Sequence, residues 1–342
     1  MKAVYINAPG EVEVREISMP VRKKGEALLK IAYGGICGSD LGSYKGTFAY
    51  FDYPRIPGHE FSAEIVEIDE NDLGLTQGMV VTCNPYFNCG DCYSCERGIV
   101  NACMDNQTMG CQRDGAFCEY ITMPIERIYD GKGLDPKVLA IIEPFCISYH
   151  GVSQVKVHAG DKVLIVGAGT IGILAALAAK KKGAIVYMSD ISDGKLKMAE
   201  EFGIDGTILN DDEARFEQKV SDITNGNGFD ITIEAVGCPS TFQNCIDATC
   251  FGGKMVLIGV GKQNLDFNFT LIQKKELQVF GSRNALKKDF TELIELVKED
   301  SADLEKIITH TYDFMEAPKA FHDFANSKGD ILKIIIDFSN IQ

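Results

Sequence analysis

The stretch that decides the fold runs from Lys162 to Lys180, KVLIVGAGTIGILAALAAK. Val163–Val166 is a short apolar, β-branched run and reads as a strand buried on both faces. Glycines follow at 167, 169 and 172, and then an Ala/Leu segment that reads as a helix. The almost wholly apolar run from Val163 to Ala179 covers seventeen residues. That is short for a membrane span, and its three glycines favour strand, turn and helix instead.

The turn, Gly167-Ala-Gly169-Thr170-Ile171-Gly172, has the G-x-G-x-x-G spacing of a dinucleotide site. Gly167 permits the tight turn. Gly169 lets the backbone approach a pyrophosphate at the helix N-terminus, and Gly172 allows close packing of helix on strand. Asp190 ends the next strand, where it would accept hydrogen bonds from the adenosine ribose. A 2′-phosphate would meet its carboxylate, so the pattern favours NAD over NADP. Lys195, five residues on, could reach a phosphate and tempers that preference.

Outward from this turn, six short strands are expected at 163–167, 185–189, 206–209, 230–234, 254–259 and 277–281. Helix-like segments lie between them, for example 170–182, 193–202 and 239–251. Alternation of this kind predicts a doubly wound parallel sheet, the Rossmann arrangement. Glu234-Ala-Val236-Gly237 and Ile258-Gly-Val260-Gly261 end two of the strands, which places Val236, Gly237 and Val260 near a nicotinamide.

The texture before about Pro144 is different. Short alternating runs such as EALLKIAYGG and FSAEIVEID predict an all-β body whose loops carry chemistry. An amphipathic helix with Phe290, Leu293, Ile294 and Val297 on one side follows the Rossmann segment. The chain then reaches ILKIIIDF, a strand expected to return to the first domain. The predicted division is 1–146 with 285–342, and 147–284.

Cys89, Cys92, Cys95 and Cys103 form a C-x2-C-x2-C-x7-C cluster in a lobe at about 83–111. Four thiolates that close in sequence suit one tetrahedral structural Zn²⁺ with no open position. The spacing is not that of a ferredoxin cluster, and Met104, not proline, follows the fourth cysteine. A disulfide reading needs a secreted context. The N-terminus alternates like a strand and lacks the apolar region of a signal peptide, so a reducing cytoplasm is expected for the twelve cysteines. Cys83, Cys111, Cys118, Cys146, Cys238, Cys245 and Cys250 read as packing residues. A net charge of −15 argues against nucleic-acid or anionic-membrane partners, since no surplus of cations exists to neutralise phosphates.

A functional metal must then lie elsewhere. Cys37-Gly-Ser39-Asp40 occupies a glycine-rich turn after an apolar strand, Pro57-Gly-His59-Glu60 comes later, and Glu143-Pro144 later still. Cysteine, histidine and a carboxylate are what a catalytic zinc with an open position requires. Ligands this far apart are not identified by spacing alone.

The motifs GGICGSD, PGHE, the four-cysteine lobe, IEP and VGAGTIG, in that order, resemble the zinc-containing medium-chain dehydrogenases over essentially the whole chain. Within that superfamily the chain is similar to the polyol, threonine and sugar-acid branch. YPRIPGHE and GSRNA are similar to bacterial hexonate dehydrogenases of galactonate or idonate type. The resemblance implies a GroES-like β-rich catalytic domain beside the Rossmann domain, and two zincs per chain, one catalytic and one structural. It implies a catalytic zinc on Cys37, His59 and a carboxylate, with Glu60 and Glu143 both retained as ligands in exchange. It also implies hydride transfer from a secondary alcohol of a sugar acid or polyol to NAD⁺, leaving a ketone, with zinc as the Lewis acid. Ser39 matches the family's proton-relay hydroxyl, whereas the histidine many relatives carry three residues further on is Gly42 here. The proton would leave through water or Asp40, which reads equally well as a buried residue that shapes the site. Arg55 and Arg283 are the candidates for gripping a substrate carboxylate, although a solvated loop cation is the plainer reading of Arg55. The family further implies a homodimer or homotetramer. Threonine 3-dehydrogenase or butanediol activity is the alternative on the same scaffold, and a non-catalytic NAD-sensing protein is the alternative of another class.

Overall fold

Six parallel strands form the sheet that the glycine turn begins. In this computed structural model, which describes residues 1–341 apart from positions 262 and 300 and only the backbone at 302, one unit comprises Pro144–Asn284. Its strands lie in the order Gly206–Leu209, Ile185–Asp190, Lys162–Val166, Phe229–Glu234, Thr249–Leu257, Gln278–Gly281. Every neighbouring pair is parallel, with Val163 beside Val186 on one side and Ile231 on the other. The sequential order reverses between Lys162–Val166 and Phe229–Glu234, and ligands bind outside the carboxyl ends of strands at such a point.

Helices cover the strands for legible reasons. In Thr170–Lys181 all residues from Gly172 to Ala179 are buried, because glycine and alanine let the helix sit close to the sheet. Asp193–Glu200 is capped by Ser192, and Glu213–Thr224 by Asp212, each accepting a first-turn N–H. The expected helix 193–202 therefore ends two residues early, at Glu200. The expected helix 239–251 stops at Ala248, and a strand begins at Thr249, well before residue 254. Thr249 is β-branched and buried, and its hydroxyl donates to the Cys245 carbonyl at 2.5 Å, which closes the helix.

The other unit joins Met1–Glu143 to Ala285–Gln342. Its main sheet runs Ile308–Asp313, Lys333–Asp337, Glu26–Gly35, Glu60–Glu67, Val80–Cys83, Ile128–Asp130, with Tyr120–Pro124 also paired to Glu26–Gly35. Phe61, Phe117, Phe314, Phe321 and Phe338 fill its core. The ILKIIIDF segment does return, pairing antiparallel with Glu26–Gly35 and setting Ile335 opposite Gly35. In the helix Lys287–Glu299, Phe290, Leu293, Ile294 and Val297 are all buried. The units divide at Glu143/Pro144, three residues before the boundary read from sequence. The helix Ile142–Gln154 runs straight through that point, so no change of local pattern marks it. Among the described residues no helix is long and apolar enough to cross a membrane.

Candidate active site and cysteine lobe

Cys37 is not in a turn but caps a helix, Gly38–Tyr44. Asp40, in the first turn, accepts from Cys37 N at 2.9 Å and from Gly58 N at 3.2 Å. One buried carboxylate thus ties the Cys37 loop to the Gly58-His59 loop. Glu60 opens the strand Glu60–Glu67, and the antiparallel register sets it opposite Gly35. A Cβ at Gly35 would stand 2.3 Å from Glu60 Oε2, so only glycine leaves room for that carboxylate.

Ligand atoms of Cys37, His59 and Glu60 lie within 4.8 Å of one another. His59 and Glu60 are buried, and His59 Nδ1 has no hydrogen-bond partner among the described residues, with Asp40 Oδ1 3.9 Å away. Burial pulls the His59 imidazolium down, yet the Cys37 sulfur and the Asp40 carboxylate more than offset it and hold it well above the ordinary histidine range. Such a cluster of acidic groups around a buried, unsatisfied imidazole fits a divalent cation with nitrogen, sulfur and oxygen ligands.

Glu143 lies outside that trio. It is buried, and its carboxylate accepts from the Tyr86 hydroxyl. Burial pushes its pKa up to about 7, with His59 opposing and Glu60 reinforcing the shift. Sequence reasoning missed a further residue, Lys333. Its buried Nζ donates to Glu60 Oε1 at 2.8 Å, Glu60 Oε2 at 2.5 Å and the Ile36 carbonyl at 3.2 Å. Burial works against the ammonium, but Glu60 outweighs it and raises the pKa. The available signal was a single cation inside the mostly apolar run ILKIIIDF.

Of the remaining candidates, Ser39 Oγ is buried and has no protein partner among the described residues. Asp40 serves as the brace just described. Arg55 is half-buried rather than a solvated loop cation. Its Nη1 lies 3.6 Å from Asp114 Oδ1, and its backbone pairs with Ile6. Arg283 is exposed just beyond the strand Gln278–Gly281 of the other unit.

In the lobe, sulfur–sulfur distances are 3.5 Å for Cys89–Cys103, 3.9 Å for Cys92–Cys103 and 4.0 Å for Cys89–Cys95. A regular tetrahedron with Zn–S of about 2.3 Å has edges of about 3.8 Å. The spacing matches that figure and is far too long for a disulfide. Backbone N–H groups of Met104 and Cys95 lower the Cys92 thiol to about 6, readying one ligand as a thiolate.

The glycine turn fits a dinucleotide. A Cβ at Gly167, which sits at φ +112°, would meet Val236 Cγ2 at 2.6 Å. A Cβ at Gly172 would stand 1.8 Å from the Gly167 carbonyl oxygen, whereas one at Gly169 would meet nothing within 4 Å. Gly167 and Gly172 are therefore fixed by protein packing, and Gly169 faces open space at the helix N-terminus, where a phosphate would come. Asp190 braces the turn, accepting from Ala168 N at 2.8 Å and Ser192 N at 2.9 Å. Lys195 lies in the next helix, its N–H directed to Ser192 Oγ at 3.4 Å. Val236 and Gly237 are held by Glu234, whose Oε1 accepts from both N–H groups at 3.0 and 2.8 Å. Val260 is exposed.

Comparison with known proteins agrees with this geometry. Residues 23–132 match the alcohol dehydrogenase GroES-like domain and residues 170–299 the zinc-binding dehydrogenase domain. L-Galactonate-5-dehydrogenase of Escherichia coli K12 is 32% identical over 338 residues, 99% of each chain. Sorbitol dehydrogenase of Halalkalibacterium halodurans is 33% identical, over 96% of each chain. An alcohol dehydrogenase of Escherichia coli CFT073, solved with NADH, superposes with a TM-score of 0.90 at 29% identity, covering 98% of this chain and 99% of that one. With matched domains on both sides of a shared order of motifs, and relatives aligned from end to end, this chain belongs to the zinc-type alcohol dehydrogenases of the medium-chain superfamily, a family of oxidoreductases.

Proposed function

We propose that the protein oxidises a secondary alcohol of a sugar acid or polyol to a ketone, with NAD⁺ as hydride acceptor. The observation that carries this reading is the convergence of half-buried Cys37 with buried His59 and Glu60 where two neighbouring strands end and begin. The sugar-acid and polyol relatives support the substrate class, and the NADH-bound neighbour supports the coenzyme.

Cys37, His59 and Glu60 would hold the catalytic zinc, which supplies a Lewis acid that acidifies a substrate hydroxyl. The nicotinamide, when bound, accepts the hydride. The protein's own groups do the rest. Asp40 fixes the Cys37 and His59 loops, and both of its oxygens are engaged in doing so. The unpartnered Ser39 Oγ would relay the substrate proton, accepting it while passing its own on to solvent water. Lys333 balances the charge of Glu60, which reduces the negative charge around the place where an alkoxide would develop. Gly169 and the helix behind it receive the pyrophosphate, and Asp190 selects the ribose that lacks a 2′-phosphate. The cysteines form no disulfide among the described residues, which suits a reducing cytoplasm. The strand Gln278–Gly281, at the edge of its sheet, is the surface on which a homodimer or homotetramer would be built.

The test is Cys37→Ser, assayed against a panel of aldonates, polyols and threonine with NAD⁺ and with NADP⁺. Turnover should fall at least ~100-fold, zinc should drop from two per chain to one, and the far-UV circular dichroism should stay unchanged. Near wild-type turnover in the variant would remove Cys37 from the chemistry.

A further inference from the structure

One guanidinium grips three consecutive residues just ahead of Cys89, within the cysteine lobe. Arg127 Nη1 donates to the Tyr86 carbonyl, and Nη2 donates to Asn88 Oδ1 at 2.9 Å. Between them its Cζ lies 4.5 Å from the centre of the Phe87 ring, which Arg113 also covers at 3.7 Å. The grip is anchored from behind, because the Arg127 carbonyl accepts from Asn84 N at 2.9 Å. The two ends of the gripped segment reach different sites. The Tyr86 hydroxyl donates to the buried Glu143 carboxylate, and Asn88 Nδ2 donates to Cys95 Sγ at 3.6 Å.

We propose that Arg127 is a positioning residue that couples the four-cysteine lobe to Glu143, through Asn88 on one side and Tyr86 on the other. The proposal rests on the reading above only in taking Glu143 to face the chemistry. An amide donating to a metal-bound thiolate fixes that sulfur's orientation, so metal in the lobe orders Asn88. The planar fork passes this order two residues back, because both of its donor nitrogens are committed and a guanidinium cannot satisfy both acceptors from a shifted position. Tyr86 then holds Glu143 where it is needed. The lobe is therefore more than a clip: metal lost from it loosens a carboxylate beside Cys37, His59 and Glu60. Coupling between two sites is reciprocal in free energy, so a change at the Glu143 end must alter metal affinity in the lobe.

That reciprocity supplies the test. In a Cys37→Ser background the lobe holds the sole zinc, and its affinity is read by equilibrium competition with a chromogenic chelator. Arg127→Met and Asn88→Ala should each weaken retention roughly tenfold. Tyr86→Phe, which removes the hydroxyl bonded to Glu143, should weaken it by about fivefold, and should have no effect once residue 127 is methionine. With Cys37 intact, Arg127→Met should lower kcat more than it changes KM, without adding to the loss caused by Tyr86→Phe. Unchanged retention in Tyr86→Phe, or additive effects in the pair, would overturn the coupling. Should Arg127→Met fail to fold, Asn88→Ala keeps the guanidinium and carries the same comparison with Tyr86→Phe. A wild type without turnover would sink the dehydrogenase reading alone, since zinc competition decides the coupling independently.

Discussion

Lys333 carries the counter-charge for a ligand-competent carboxylate. Removing an ammonium from water costs several kcal/mol unless its donors are met, and here all three have acceptors: two oxygens of Glu60 and the Ile36 carbonyl. Breaking a buried pair from one side is worse than removing both sides. Lys333→Met should therefore destabilise the metal-free protein by about 3–5 kcal/mol in urea denaturation. Adding Glu60→Gln should recover much of that loss, and a single variant as stable as wild type would show the pair to be idle. Spacing alone does not single out Cys37, His59, Glu60 and Glu143 in the sequence; they stand out only through the ordered set of motifs that carries the family resemblance. That resemblance does not separate the two glutamates. Their roles differ through Lys333, 273 residues from Glu60, and Tyr86, 57 residues from Glu143, and no local pattern links such partners.

At the scale of the element, the three glycines of the dinucleotide turn look equivalent in sequence but answer to different neighbours. Gly172 is pressed against the Gly167 carbonyl, so Gly172→Ala should cost about 1–3 kcal/mol through overpacking, visible as a lowered denaturation midpoint. Gly169 has extended backbone dihedrals that alanine adopts freely, and open space where its Cβ would stand. Gly169→Ala should leave stability within about 0.5 kcal/mol while raising the Kd for NADH in a titration. If both variants behave alike, the turn is a packing motif and nothing more. Strand–turn–helix was legible here because hydrophobic period, glycine and alanine agree. Gly38–Tyr44 was misread because glycine and serine favour turns; its helix depends on Asp40, whose side chain bonds the Cys37 N–H and the distant Gly58 N–H together. The ends of 193–202 and 239–251 were misplaced for a related reason, since tertiary contacts of residues such as Thr249 decide where a helix stops.

In chain order one unit is inserted into the other. Pro144–Asn284 is continuous and owns a complete parallel sheet, whereas the remaining unit needs segments from both sides of it. A fragment of residues 144–284 should thus fold alone, with a cooperative thermal transition and dispersed amide resonances. A fragment of residues 1–143 should not, because it lacks Lys333–Asp337, the strand that flanks Glu26–Gly35 on its Ile308–Asp313 side. Folded behaviour in the shorter N-terminal fragment would contradict this. The two-domain architecture was readable in advance from the change of texture near Pro144 and the apolar closing strand.

The late arrival of that strand sets an order of events during synthesis. Translation must proceed 273 residues beyond Glu60 before the amine that balances it exists, a delay of roughly 15–50 s at cellular elongation speeds. Throughout that interval the nascent chain already displays the thiol, the imidazole and the acid, yet lacks the group that organises them. Until residue 333 has been made the Glu60 carboxylate has no ammonium to fix it, so the charge balance of the site is set late in synthesis.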